Sequence, residues 1–216
     1  MEKVLGFLKQ LSENNNREWF QDNRKWYEES RDKVLFITDV LINEISKFDS
    51  SVRGLSPKDC VFRIFRDVRF SKDKQPYKTN FGSFICTGGR KSMNPGYYFH
   101  IEPGSSFIGG GIYMPPAPVL KKLRAYMADH AKDFLEIGNE KDFKKQFPEM
   151  YDDKLKLAPK GYPKDHEYIE LLKYKSFIYS ASLENSVVAG PNYIDEMVKR
   201  FELLYPVNAF LYDALA

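Results

Sequence analysis

Short separations between β-rich runs are the feature of this sequence that most constrains its fold. Four runs rich in aromatic and β-branched residues follow one another between residues 60 and 113, and only turn-forming segments separate them. The runs cover residues 61–70, 81–86, 97–102 and 106–113. Parallel strands need a crossover of about a dozen residues or more, whereas antiparallel strands can be joined by short turns. The spacings therefore predict an antiparallel meander.

Helical periodicity flanks this predicted sheet on both sides. Residues 1–50 are predicted to be helical, because apolar residues recur at intervals of three and four, most clearly over 34–48. Residues 115–216 are predicted to be mostly helical, with one further strand near residues 175–182. We therefore predict an α+β fold in which N-terminal, middle and C-terminal helices pack against the antiparallel sheet, in a single domain spanning residues 1–216.

The composition excludes several classes of protein. Hydrophobic residues make up 43% and charged residues 29% of the chain, as in soluble globular proteins rather than disordered ones. No segment approaches the ~20 apolar residues that cross a membrane, and the N-terminus lacks the features of a signal peptide. We expect a cytoplasmic protein with no membrane partner, in which Cys60 and Cys86 are reduced, buried thiols.

The sequence contains no recognised metal or cofactor motif. Three His and two Cys are scattered without the spacing of zinc ligands. A phosphate-binding loop, a dinucleotide-binding fingerprint and a nucleophile elbow are also missing from the sequence. We therefore predict no metal and no cofactor.

Positive charge is concentrated in one segment of the chain. Six Lys or Arg and two Asp lie between residues 63 and 78, a net charge of +4, whereas the whole chain carries +3. If residues 61–70 form a strand, side chains alternate between two faces, and Arg63, Asp67 and Arg69 share one of them. Asp67 is then placed to orient both guanidiniums toward an anion.

This arrangement predicts an anion-binding pocket for a phosphorylated or carboxylated small molecule, with a nucleotide as one such ligand. The side chains predicted to contribute are Arg63, Asp67, Arg69, Lys74, Tyr77 and Lys78. Arg66 falls on the opposite, apolar face, where a guanidinium needs a carboxylate partner or must extend to the edge of the core. We therefore predict that Arg66 is a structural buried charge, with Glu18 as one candidate partner.

Two other functions are compatible with the same basic residues. A nucleic-acid-binding protein would set them along a phosphate backbone and use Tyr97, Tyr98 or Phe65 for base stacking, although a local charge of +4 is small for this purpose. A structural or interaction protein would use the segment as a salt-bridged framework for the sheet.

Three residues are candidates for acid–base catalysis. His100 and Glu102 lie on one face of a predicted strand, and they qualify if that face adjoins the basic one. His166 ends the loop 158–166, in which Lys160 is a further candidate anion ligand. For His100 and Glu102, the alternative is a polar outer strand face. For the loop 158–166, the alternative is a capped helix start with solvated lysines.

The basic segment and four further stretches form a recognisable pattern. The matching positions in the segment are Arg63, Arg66, Asp67, Arg69, Phe70, Lys74 and Tyr77. The further stretches are residues 11–29, 96–103, 109–116 and 157–166. Together they resemble the DUF2461 family of bacterial proteins, which also has some fungal members, over nearly the whole chain. The resemblance implies a single-domain α+β protein and carries with it no reaction, cofactor or catalytic residue.

Overall fold

The computed structural model describes all residues from 1 to 216 and contains nine α-helices and four β-strands. The helices are α1 (Glu2–Glu13), α2 (Arg17–Asp22), α3 (Arg24–Ile45), α4 (Pro57–Cys60), α5 (Ala117–Asn139), α6 (Lys141–Gln146), α7 (Ile169–Leu172), α8 (Asn185–Ala189) and α9 (Tyr193–Asp213). The strands are β1 (Phe81–Ile85), β2 (Gly96–Ile101), β3 (Phe107–Ile112) and β4 (Phe177–Ser182). The predicted α+β class is confirmed.

The four strands form one antiparallel sheet in the order β1-β2-β3-β4. The predicted further strand near residues 175–182 is β4, which pairs with β3. His100 of β2 lies opposite Gly82 of β1 and Phe107 of β3. Since side chains alternate along a strand, these three positions and Tyr98 lie on the same face of the sheet.

Residues 61–70 do not form a strand, so this element of the predicted meander is wrong. The segment makes only two isolated bridges, one to Ser83 of β1 and one to Tyr77 further along the chain. Pro76 lacks the N–H that a ladder requires, and the charged residues of the segment offer no continuous apolar face to hold it on the sheet. The chain therefore turns back after a short contact with β1.

Residues 61–80 instead form an irregular hairpin beyond the edge of β1, called the basic hairpin below. Its base is held by backbone hydrogen bonds, in which the Phe62 N–H donates to β1 (2.9 Å) and the Lys78 N–H donates to Ile64 O (2.8 Å). Its tip, residues 67–75, is mostly exposed to solvent. The base of the basic hairpin is therefore fixed to the sheet while the tip projects away from it.

The helices pack on one face of the sheet around an apolar core of 41 buried residues. Tyr97, Phe99 and Ile101 of β2 enter this core, while α9 packs against β2 and β3 and α3 packs against β1. None of the nine helices is both long enough and apolar enough to cross a membrane. The opposite side of the sheet is called the open face.

Candidate functional site

The open face borders a cleft of about 1130 Å³, slightly above the ~300–1,000 Å³ usual for small-molecule pockets. Its lining includes strand side chains that alternate away from the core, together with residues of the basic hairpin and of the β1–β2 loop. Among the lining residues are Phe62, Lys78, Asn80, Arg90, Tyr98 and Phe107. The cleft is the candidate ligand site of the molecule.

Glycines of β3 keep the middle of the cleft free of side chains. Gly109 and Gly111 both line it. Gly111 has a φ of +116°, and a Cβ at this position would collide with the backbone oxygen of Phe177 in β4. Only glycine fits between the two strands here, so this part of the floor is bare backbone.

Lys78 brings a positive charge to the wall of the cleft. Its side chain is half-buried, and the ammonium Nζ lies 5.4 Å from the centroid of the Phe62 ring. Burial lowers the pKa of Lys78, and the nearby charge of Arg63 lowers it further. No carboxylate of the chain forms a salt bridge with Lys78, so its charge has no anionic partner within the protein.

Arg90 is the second cation of the cleft lining, and it comes from the β1–β2 loop. Its backbone N–H donates to Asp59 O (2.9 Å) and its Nη1 donates to Lys58 O (2.6 Å). These two bonds fix the loop against α4. The other guanidinium nitrogens make no hydrogen bond within the protein, which leaves donors for a ligand.

A chain of hydrogen bonds runs from the cleft along the open face of β2. The Tyr98 hydroxyl lies 3.0 Å from His100 Nδ1, and His100 Nε2 lies 3.1 Å from Glu102 Oε2. Glu102 Oε1 accepts from the Thr79 hydroxyl at 2.5 Å, and Asn80 Nδ2 lies 3.3 Å from His100 Nδ1. Of this chain, Tyr98 and Asn80 line the cleft, and His100 and Glu102 lie behind them.

Packing holds this chain in place. The His100 ring stacks on Phe107 of β3 with 4.8 Å between ring centroids. A Cβ on Gly82 would lie 2.6 Å from the Tyr98 hydroxyl, so the hydroxyl occupies the space that a side chain at position 82 would need. Burial, followed by the charge of Glu102, raises the pKa of Tyr98 to about 12. The phenol therefore stays protonated at neutral pH.

Among the side chains for which the sequence predicts anion binding, only Lys78 lines the cleft. Tyr77 is 4% exposed and stacks on Phe20 with 3.9 Å between centroids. Its backbone N–H and C=O both bond the Asn15 side chain. The Tyr77 ring is therefore part of the core, and its predicted contact with a ligand has no geometric support.

Asp67 and Arg69 pair with each other at the tip of the basic hairpin. Arg69 donates from Nε and Nη2 to the two Asp67 oxygens (3.0 and 2.7 Å), and 76% of the Arg69 side chain is exposed. These side-chain bonds, and to a smaller extent a bond from the Arg69 backbone N–H, hold the pKa of Asp67 below its usual range. Arg63 is exposed, and Lys74 Nζ donates to Val68 O (3.1 Å). None of these four residues lines the cleft.

Arg66 pairs with Asp73 rather than with the candidate partner Glu18. Arg66 Nη1 lies 2.5 Å from Asp73 Oδ2, and the Arg66 side chain is 26% exposed. The turn of the basic hairpin brings residue 73 across from residue 66, which a straight strand would not do. The pair is therefore only partly buried.

The second predicted location, the loop 158–166, is separate from the cleft. His166 Nδ1 accepts from the Tyr168 N–H (3.1 Å), and the imidazole packs beside Tyr162 and Tyr168. Lys160 is exposed. Neither His166 nor Lys160 lines the cleft, so the structure does not join them to Lys78 or His100.

Sequence reasoning did not select Arg90 as a site residue, and it named Tyr98 only as a candidate for base stacking. Tyr98 had a signal, because it alternates with His100 and Glu102 along β2. Arg90 had none, since it reaches the cleft through a loop whose path depends on tertiary contacts. No group of three or more His, Cys, Asp or Glu side chains is placed to hold a metal ion.

Fold and cleft together define an α+β protein with an antiparallel sheet and a candidate small-molecule site on its open face. The family model described as "Conserved hypothetical protein (DUF2461)" matches residues 3–210, and the chain belongs to this family. The resemblance seen in the sequence is thus confirmed. Neither the curated proteins nor the solved structures include one that matches the chain.

Proposed function

We propose that this protein binds a small molecule carrying a phosphate or a carboxylate in the cleft on the open face of the sheet. The observation that carries the proposal is the Lys78 ammonium, which is partly removed from water and has no carboxylate partner. A desolvated charge without a counterion is unfavourable, and the neighbouring Arg63 adds to the positive potential. A bound anion would relieve both effects.

The walls of the cleft also suit a ligand with a planar part. Six aromatic rings line it, those of Phe62, Phe84, Tyr98, Phe107, Tyr113 and Tyr151. Stacking of one nucleic-acid base on an aromatic side chain contributes about 1–3 kcal/mol. A nucleotide, which joins a planar base to a phosphate, therefore combines both recognition elements and is the ligand we place first.

A thermal-shift screen of nucleotides, phosphorylated metabolites and carboxylates tests this function. We expect at least one anionic compound to raise the melting temperature, because a ligand that binds only the folded state stabilises it. The Kd of that compound is then measured by calorimetry for Lys78→Met. Since a hydrogen bond to a charged group is worth about 1.5–3 kcal/mol, we expect affinity to fall by about tenfold or more.

Lys72→Met is the matched control, because it removes the same charge from the exposed tip of the basic hairpin. It should leave the Kd within about twofold of the unmodified protein, as a screened surface charge adds little. Lack of stabilisation by every anion in the screen contradicts the proposal, and so does an equal loss of affinity in the two variants.

Nucleic-acid binding is a second candidate function, and the tip of the basic hairpin is the observation that favours it. Phe70 is 96% exposed, and the Arg69 guanidinium lies 5.9 Å from its ring centroid. Lys72 and Lys74 are exposed beside them. An exposed ring among cations fits a single strand, with a base on the ring and phosphates on the cations.

Fluorescence anisotropy with a labelled oligothymidine separates the two functions. Binding through the tip predicts an affinity that falls steeply with salt concentration and that Phe70→Ala weakens. Binding through the cleft predicts that Phe70→Ala has no effect on the Kd of the small anion. No binding of the oligonucleotide at low salt would eliminate the second function.

We also place this function in the cytoplasm. The two thiols, Cys60 and Cys86, are free and buried. Burial raises the pKa of Cys60 to about 11 and that of Cys86 to about 12, so both stay protonated. Unreactive free thiols are in keeping with a reducing compartment.

A further inference from the structure

The hydrogen-bond partners of the His100 ring favour one arrangement of protons behind the cleft. The Glu102 carboxylate only accepts, so the hydrogen bond from His100 Nε2 at 3.1 Å is donated by an Nε2–H. A neutral imidazole protonated at Nε2 has an acceptor at Nδ1. Asn80 Nδ2, a donor, lies 3.3 Å from Nδ1, which agrees with this tautomer. In this tautomer the Tyr98 hydroxyl, the closer of the two partners at 3.0 Å, donates to Nδ1.

The order is thus hydroxyl, imidazole and carboxylate, with all three groups on or directly after one strand. Such an order lets the imidazole take the proton of the hydroxyl while the carboxylate stabilises the imidazolium that forms. The titratable groups in contact with His100 are Tyr98 and Glu102, whereas Asn80 and the Phe107 ring are neutral. No Lys or Arg forms a salt bridge with Glu102, whose salt-bridge partner is His100, so its charge is available to the imidazolium.

We propose that Tyr98, His100 and Glu102 form a proton relay in which the Tyr98 hydroxyl is the acid–base catalyst of the cleft. The inference rests on the proposed function, because the reacting molecule is the anion bound there. Tyr98 is the catalytic residue, since it lines the cleft. His100 acts through Tyr98, and Glu102 positions His100.

The proton balance of the step is closed without any further reactant. An O–H or acidic C–H bond of the bound molecule breaks, and its proton forms a new bond to Tyr98 Oη. The original Oη–H bond breaks, and that proton forms the bond to His100 Nδ1. The electron pair stays on the bound molecule as its conjugate base, and the imidazolium rests against Glu102. The reverse transfers return the proton.

The positions of Lys78 and Tyr98 define the class of substrate. The Phe62 ring lies beside both, 5.4 Å from Lys78 Nζ and 6.3 Å from the Tyr98 ring centroid. An anion held at Lys78 therefore brings neighbouring atoms of the same molecule toward Tyr98. We assign the relay to a phosphate or carboxylate compound whose proton-bearing group lies a few bonds from its anionic group.

A tyrosine-directed reagent tests the relay without a known substrate. An aryl sulfonyl fluoride forms an S–O bond with the phenol, breaks its S–F bond and releases the phenol proton with fluoride. Because the raised pKa keeps Tyr98 protonated, reaction depends on a base that removes its proton. We expect mass spectrometry of peptides to find Tyr98 labelled faster than Tyr113, which is 61% exposed.

His100→Gln should slow labelling of Tyr98 by about tenfold or more, since a general base contributes about 10²–10⁴-fold. Glu102→Gln, which keeps the imidazole, should also slow labelling, which provides a second variant if the first one unfolds. Tyr113 should react at the same rate in all three proteins.

Two results overturn the relay. One is equal labelling of Tyr98 in the wild type, His100→Gln and Glu102→Gln, and the other is labelling of Tyr98 no faster than that of Tyr113. Labelling needs no bound anion, so this failure is distinct from that of the proposed function. If the relay is intact but no anion binds, the proposed anion-binding function is wrong. If an anion binds but labelling shows no relay, the proposed proton transfer is wrong.

Discussion

The base and the tip of the basic hairpin carry the same kinds of residue in opposite environments. At the base, Lys78 is half-buried without a carboxylate partner, and Tyr77 is packed in the core. At the tip, Arg69 is paired with Asp67, and Phe70 is almost fully exposed. The sequence places all of these residues in one charged segment, yet only the base of the basic hairpin borders the cleft.

This difference shows that desolvation, rather than charge count, marks the candidate site. An exposed ion pair is screened by water and adds little to stability or to recognition. A cation held partly out of water by the sheet retains a strong interaction for an incoming anion. The comparison therefore predicts large effects for substitutions at the base and small effects at the tip.

The largest expected effect is on stability and comes from Tyr77→Ala. The ring lies in the core against Phe20, and removal of a large buried aromatic side chain costs about 3–5 kcal/mol. Phe70→Ala at the tip should change the free energy of unfolding by less than about 0.5 kcal/mol. Urea denaturation measures both variants, with Tyr77→Phe as the control that keeps the ring. Equal losses of unfolding free energy in Tyr77→Ala and Phe70→Ala would contradict the difference between the base and the tip.

A smaller loss is expected for Gly82→Ala. The new Cβ would approach the Tyr98 hydroxyl to 2.6 Å, and overpacking of this kind costs about 1–3 kcal/mol. In a Tyr98→Phe background the hydroxyl is missing, so the same substitution should cost less. A double-mutant cycle by urea denaturation measures the coupling between the two positions. Additive losses would show that the hydroxyl does not lie over Gly82.

The smallest effect concerns the exposed pair at the tip. The folded pKa of Asp67 is lowered, chiefly by its hydrogen bonds to Arg69, with Arg63 as a weaker cause. The pair therefore stabilises the fold above the ordinary Asp pKa of 3.8, and this contribution is lost as pH falls through the lower folded value. In a carboxyl ¹³C NMR titration, Arg69→Gln should raise the Asp67 midpoint more than Arg63→Gln does. The reverse order would contradict the pairing at the tip.

Much of the fold could be predicted because local spacing determines it. The connections from β1 to β2 and from β2 to β3, the second of which contains Pro103-Gly104, are too short for a crossover between parallel strands and therefore favour antiparallel pairing. The strand over residues 61–70 was predicted wrongly for the opposite reason. Alternation of charged and apolar residues suits a strand, but strand pairing depends on the partner, and Pro76 and the edge of β1 limit that pairing to two bridges.

The site could be predicted only in part, since it is assembled from segments distant in sequence. Lys78 and His100 belong to patterns that the sequence shows, and the structure places them at or behind the cleft. Arg90 reaches the same cleft through a loop fixed by Lys58 and Asp59. No rule of spacing joins these positions, because their proximity follows from tertiary packing.

A crystal structure grown with phosphate or a nucleotide monophosphate tests the central claim most directly. The account predicts phosphate oxygens within hydrogen-bonding distance of Lys78 Nζ, about 2.7–3.2 Å, on the open face of the sheet. In the same crystal, Arg69 and Lys72 at the tip should hold no anion. Density at the tip with an empty cleft would contradict the account.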